Sequence, residues 1–200
     1  MKPHHDLSSI GSFAAILLSL MAGADSRAQD VPVPKPQAAS ACAALSPNLT
    51  ACSPDGEYYA VATPDGRIKC GSTHEGARTR TLHLCTPRVL VFSPDGRFLA
   101  GVGAACGGPA IIKVWQAVDG AQLCKVQAGL ENPHISFSPD GLLLVSTGEG
   151  SRINLWQLPK GTPKWSVTTD RPVSRLAFSK EGKAVVALLA DGSVERFPVP

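Results

Sequence analysis

One turn text, written three times, sets what this chain can fold into: Ser53-Pro54-Asp55-Gly56, Ser93-Pro94-Asp95-Gly96 and Ser138-Pro139-Asp140-Gly141. A worn fourth copy stands at Ser179-Lys180-Glu181-Gly182, and the copies are 40, 45 and 41 residues apart. A period of that size marks a stacked or radial array of supersecondary units. Proline presets φ for the turn, aspartate hydrogen-bonds its own backbone, and glycine takes positive φ without steric cost. Apolar runs flank the turns, such as Val89-Leu90-Val91-Phe92 before Ser93 and Phe98-Leu99-Ala100-Gly101-Val102 after Arg97, which reads as a β-hairpin. A third run follows at Ile111–Trp115, Ile153–Trp156 and Val194–Phe197. A fourth, Gln122–Val126, comes after the turn Val118-Asp119-Gly120. Each unit therefore reads as a four-stranded antiparallel meander.

These phrases resemble the WD40-repeat β-propellers. The residues that carry the resemblance are Val91-Phe92-Ser93-Pro94-Asp95-Gly96, Ile112-Lys113-Val114-Trp115 and Ile153-Asn154-Leu155-Trp156. It covers roughly residues 49–200. The family's Asp after the Trp is Gln116 and Gln157 here, Phe197 replaces the last Trp, and the Gly-His pair ahead of the first strand is absent. A TolB-like periplasmic propeller, with similar turn text, is the near relative. The resemblance implies an all-β fold, a small β-propeller of about four four-stranded antiparallel blades. The last unit stops after its third strand, so an N-terminal strand or a second copy is expected to complete it. Trp115, Trp156 and Phe197 are expected as wedges between blades. Units at 88–128, 134–168 and 173–198 are clear, whereas 49–85 is weaker because Leu49-Thr50-Ala51-Cys52 is poor strand text. In a propeller, the entry to the second unit and the loop between its second and third strands meet on one rim. That placement implies a disulfide between Cys85 and Cys106, with Cys42, Cys52, Cys70 and Cys124 unassigned.

The N-terminus reads as a targeting segment. Lys2 precedes an apolar run from Ile10 to Ala22, and Ser26-Arg27-Ala28 places small residues where a signal peptidase reads. Residues 1–28 are thus expected to be a signal peptide, its apolar run too short to span a bilayer. Residues 29–48 are a Pro/Ala-rich linker that can also supply the closing strand, since proline is tolerated at a sheet edge. This predicts a secreted or periplasmic protein with no membrane insertion after signal cleavage. Six cysteines behind such a segment predict disulfides.

The chemistry-bearing residues point away from catalysis. Of the eight aspartates after residue 28, six (Asp55, Asp65, Asp95, Asp119, Asp140 and Asp191) are followed by glycine, and a carboxylate spent on a turn is a poor acid or base. His74, His83 and His134 are scattered singly, no Cys-x-x-Cys pair exists, and no nucleophile elbow or phosphate loop is present. No catalytic residue, metal ligand or cofactor is expected. The expected function is a non-catalytic protein-binding scaffold of the periplasm or extracellular space. Arg67, Lys69, Arg78, Arg80 and Arg88 against Glu75 alone form a basic stretch that suits an acidic protein partner. Export and the lack of interleaved aromatics speak against nucleic acid. Loops on a rigid scaffold carry binding, so the partner-binding rim is placed at residues 106–109, 132–134, 148–152 and 170–171. With the basic stretch, this selects Arg78, Arg80, Asn132, His134, Glu149, Arg152, Asp170 and Arg171. Two alternatives remain: a small-molecule-binding or hydrolytic, lactonase-like propeller with a central-tunnel site, and a homodimer that completes a larger ring. The first needs carboxylates or histidines on the first strands, which are almost wholly apolar apart from Arg175.

Overall fold

The computed structural model describes residues 49–63, 65–74, 76–129 and 133–200. The expected signal peptide and the linker with its closing strand lie outside the described residues. The described chain is all-β, with four antiparallel sheets following one another like the blades of a small propeller. The first sheet holds β1 (Thr50–Cys52), β2 (Tyr58–Ala62), β3 (Arg67–Ser72) and β4 (Arg80–His83). The second holds β5 (Cys85–Phe92), β6 (Phe98–Ala104), β7 (Ala110–Gln116) and β8 (Gln122–Gln127). The third holds β9 (Ile135–Phe137), β10 (Leu143–Thr147), β11 (Arg152–Gln157) and β12 (Thr162–Thr168). The fourth has three described strands, β13 (Val173–Phe178), β14 (Ala184–Leu189) and β15 (Val194–Pro198). The weak first run is a strand of only three residues. The second sheet begins earlier than its apolar text suggests, because β5 reaches back to Cys85 through a register break at which Thr86 takes φ 45°.

The repeated tetrapeptide is a hydrogen-bonded lock rather than a bare turn. Ser93 Oγ accepts from the Phe98 N–H at 2.9 Å and donates to Asp95 Oδ1 at 2.6 Å. Asp95 Oδ1 also accepts from the Arg97 N–H, and the Gly96 N–H donates to the Ser93 carbonyl. Ser53 with Asp55 and Ser138 with Asp140 repeat the pattern. The glycine of each copy sits at φ 71–74°, where a side chain is costly. The three serines are essentially inaccessible, so each hydroxyl replaces water for a buried backbone donor. In the fourth copy Ser179 Oγ still accepts from the Ala184 N–H, at 3.2 Å, but the aspartate has become Glu181. Neighbouring locks also touch: a Cβ on Gly96 would lie 2.9 Å from Asp55, and one on Gly141 3.0 Å from Asp95.

Packing between sheets supplies the core. Alternate residues of a strand face opposite ways. Strand β7 accordingly gives Ile111 and Trp115 to a cluster shared with the first sheet, and Ile112 and Val114 to one shared with the third. Strand β11 does the same, with Trp156 turned to the second sheet and Ile153 and Leu155 to the fourth. Trp115, Trp156 and Phe197 are wedges as expected. Beside Phe197 lies Trp165 of β12, ring centroids 6.2 Å apart. The first sheet has Gly71 at the register of the wedge, and the ring of its cross-strand partner Tyr59 covers it and hydrogen-bonds Thr79 through its hydroxyl. Three core clusters join consecutive sheets; among the described residues none joins the fourth sheet to the first.

Two outcomes follow from the lock. Ser93→Ala strands the Phe98 N–H and should cost about 1–3 kcal/mol in urea unfolding. Ser179→Ala, with no aspartate in its lock, should cost less. Hydrogen bonds from Ser53 and the Glu57 N–H hold the Asp55 carboxyl below its ordinary value of 3.8, and those from Ser138 and the Leu142 N–H do the same for Asp140. At Asp95 burial opposes ionisation, but Ser93 and Arg97 overcome it. A carboxyl with a depressed folded pKa adds stability that is complete above its unfolded value and is lost as pH falls through the folded one. The urea midpoint should therefore fall steadily below about pH 4, and Asp95→Asn should flatten that fall.

Candidate partner-binding rim

Connections of an antiparallel meander alternate between two ends. The Ser-Asp locks and the turns from third to fourth strand occupy one end. The loops from second to third strand and the passages between sheets occupy the other. The first end is committed to structure, since its locks stack on one another. The second carries connections of unequal length.

Of the expected partner-binding residues, five fall on the second end. His134 is fixed at the entry to the third sheet, its N–H donating to Thr147 Oγ1 and its carbonyl accepting from the Thr147 N–H, both at 2.9 Å. Burial, with Arg175 nearby, holds the His134 imidazole below its ordinary value. Glu149 and Arg152 flank the β10–β11 turn, whose central residues Gly150 and Ser151 take φ 61° and 63°. Two consecutive positive φ values are what a tight type I′ hairpin needs, and the Arg152 N–H closes it on the Glu149 carbonyl. Asp170 and Arg171 lie in the passage to the fourth sheet. Buried Thr169 ties that passage to the turn by donating to the Ser151 carbonyl at 3.0 Å. Arg171 also pairs with Asp191 at 3.7 Å.

Arg78 and Arg80 do not join them. Arg78 lies in the β3–β4 loop at the opposite end, where Thr73 Oγ1 donates to the Gly56 carbonyl of the first lock. Arg80 is half-buried, its stem against the β7–β8 turn at Gly120. Asn132 lies outside the described residues. Chain proximity grouped the basic residues of the first unit, but the alternation of loop ends separates them from the rim.

Cys85 and Cys106 are disulfide-bonded, with Cα atoms 5.2 Å apart, and clamp the start of β5 to the β6–β7 loop on this second end. Cys52 is also disulfide-bonded, whereas Cys70 and Cys124 are free and buried. Beside the clamp, a cleft of about 410 Å³ opens between the second and third sheets. Ala110 and Ala128 line it from the second sheet, and Arg152, Asn154 and Trp156 from the third. Sequence reasoning found Glu149 and Arg152 at its mouth but missed the cleft, because the small residues that make room belong to the preceding unit. Among the described residues no cluster of three or more His, Cys, Asp or Glu is placed to hold a metal ion.

Comparison with known proteins agrees with this architecture. Residues 133–157 match the family described as WD domain, G-beta repeat. A WD repeat and SOCS box-containing protein 1 of Xenopus tropicalis is 28% identical over 131 residues, covering 64% of this chain and 30% of the relative. Its counterpart in Takifugu rubripes is 33% identical over 107 residues, 52% of this chain and 24% of the relative. An uncharacterised WD repeat-containing protein of Synechocystis sp. is 32% identical over 104 residues, 50% of this chain and 28% of the relative. The chain thus spans less than a third of the length of these relatives.

Replacing Cys85 and Cys106 together by serine opens a 21-residue separation. It should cost about 3 kcal/mol of unfolding free energy, read as a lower urea midpoint than that of the oxidised protein. Reducing agent should lower the midpoint of the parent and leave this part of the difference absent in the double variant.

Proposed function

We propose that this chain is a WD40-repeat protein and a non-catalytic scaffold that binds a partner protein through its second end. The observation that carries this reading is the strip formed by His134, Glu149, Arg152, Asp170 and Arg171, which hydrogen bonds through Thr147, Ser151 and Thr169 hold in place. A rigid scaffold displaying charged loop residues is the usual setting for protein binding. Similarity to WD-repeat proteins supports the same role by analogy of fold.

The compartment we propose is secreted or periplasmic. The Cys85–Cys106 disulfide supports an oxidising setting, and the signal-like N-terminal text agrees with it. The partner we propose is acidic where it meets Arg152 and Arg171. A second copy of this chain fits less well. The outward face of the fourth sheet carries Arg175 and Arg196 around Val186, Leu188 and Val194. The outward face of the first carries Lys69, with Arg67 beside it. Laying one on the other brings like charges together, which costs affinity.

Affinity capture from the exporting cell with the tagged chain tests the reading. The partner should be retained by the parent and by Arg78→Ala, and lost by a variant carrying Glu149→Ala, Arg152→Ala and Arg171→Ala. Retention by the triple variant, or loss with Arg78→Ala alone, contradicts the assignment of the binding end.

A further inference from the structure

The three junctions between sheets can be compared position by position. Strand β11 turns Arg152, Asn154 and Trp156 toward the second sheet, because alternate residues share a face. The same ladder in β7 is Ile111, Lys113 and Trp115, and at β15 it is Ser193, Glu195 and Phe197. At the first junction Ile111 joins the core and Lys113 Nζ donates to the His83 carbonyl at 2.8 Å, which seals the gap. At the third, Ser193 Oγ turns back to Asp191 at 2.6 Å and Trp165 packs beside Phe197.

The middle junction is left open. Arg152, Asn154 and Glu149 make no side-chain hydrogen bond or ion pair among the described residues. Facing them are the small side chains of Ala110 and Ala128, which leave the cleft of about 410 Å³. Its floor is firm, since the Trp156 indole donates to Ser146 Oγ at 2.9 Å. The Gly150-Ser151 turn fixes Glu149 and Arg152 at its two ends, so the order of negative and positive charge at the mouth is set by the backbone.

We propose that this cleft binds an extended peptide segment in which an acidic and a basic side chain stand close together. The proposal rests on the protein-binding role above and names what the partner presents. A carboxamide both donates and accepts, as a main-chain amide does, so Asn154 matches a peptide backbone. Arg152 offers a guanidinium fork to the carboxylate, and Glu149 takes the cation. The cleft volume lies in the range that holds a few residues of ligand.

A phage-displayed library of random dodecapeptides, panned against the full chain, tests this, with affinities of the selected peptides read by fluorescence anisotropy. Selected peptides should carry an acid and a base within about three residues of each other. Arg152→Glu should weaken them about tenfold or more, the scale of a charge-assisted hydrogen bond. Ala128→Leu, which fills the cleft, should do the same. The exchange of Glu149→Arg with Arg152→Glu should select peptides with the charge order reversed. Circular dichroism and the urea midpoint establish that each variant is folded, and Arg152→Glu, at an exposed position, serves if Ala128→Leu is not. Selected peptides that bind Arg152→Glu as tightly as the parent overturn the cleft assignment and leave the scaffold role standing. A library that yields no binder while affinity capture succeeds overturns it in the same way. Failure of both overturns the scaffold role as well.

Discussion

A small antiparallel sheet has two faces, and in this chain both faces of the inner sheets are apolar. That constraint governs the rest. Strand β7 shows it most clearly, with Ile111 and Trp115 buried on one side and Ile112 and Val114 on the other. No packing within one sheet can cover both sets, because neighbouring strands only extend the same two surfaces. Each sheet must therefore be sandwiched, and the repeat is the sequence's solution: a neighbour of the same shape is always next in the chain. Apolar burial of this kind contributes about 25 cal/mol per Å² removed from water, and here that gain exists only between sheets.

The division of labour between the two ends follows. At one end the serine-aspartate locks stack turn on turn, which leaves little freedom to vary them. At the other end the connections range from the single residue Leu84, between the first two sheets, to the longer passage after β8. The β10–β11 hairpin and the passage after β12 are cross-tied by Thr169, so the backbone that carries the charged groups there is held by hydrogen bonds. The open middle junction is a local relaxation of the packing rule. Its wedge Trp156 remains, but the two positions above it became polar and the opposing wall became alanine.

Much of the architecture was legible because the turn text is local chemistry. Proline, aspartate and glycine announce a turn wherever they stand, and the period follows from counting. The Cys85–Cys106 pairing was legible once the propeller was recognised, because entry and loop share an end. What local text did not disclose was the buried serine, which looks like any turn residue until its hydroxyl is seen satisfying the N–H five positions on. The cleft was hidden for a different reason. Its walls come from Ala110 and Ala128 in one unit and from Arg152 and Asn154 in the next, and no window of sequence holds both. Arg78 and Arg80 were grouped with the rim for being near in sequence and alike in charge, yet the strand order sends their loop to the other end.

The claim that the sheets stand only by leaning on each other is tested most directly by native-state hydrogen exchange on Ile112→Ala. Ile112 belongs to the second sheet and is fully buried against the third. If the sheets are mutually dependent, protection should fall together at Val102 and Val114 in the second sheet, Leu144 and Leu155 in the third, and Val185 in the fourth. Loss confined to β6, β7 and β8, with the third and fourth sheets as slow to exchange as in the parent, would contradict the account.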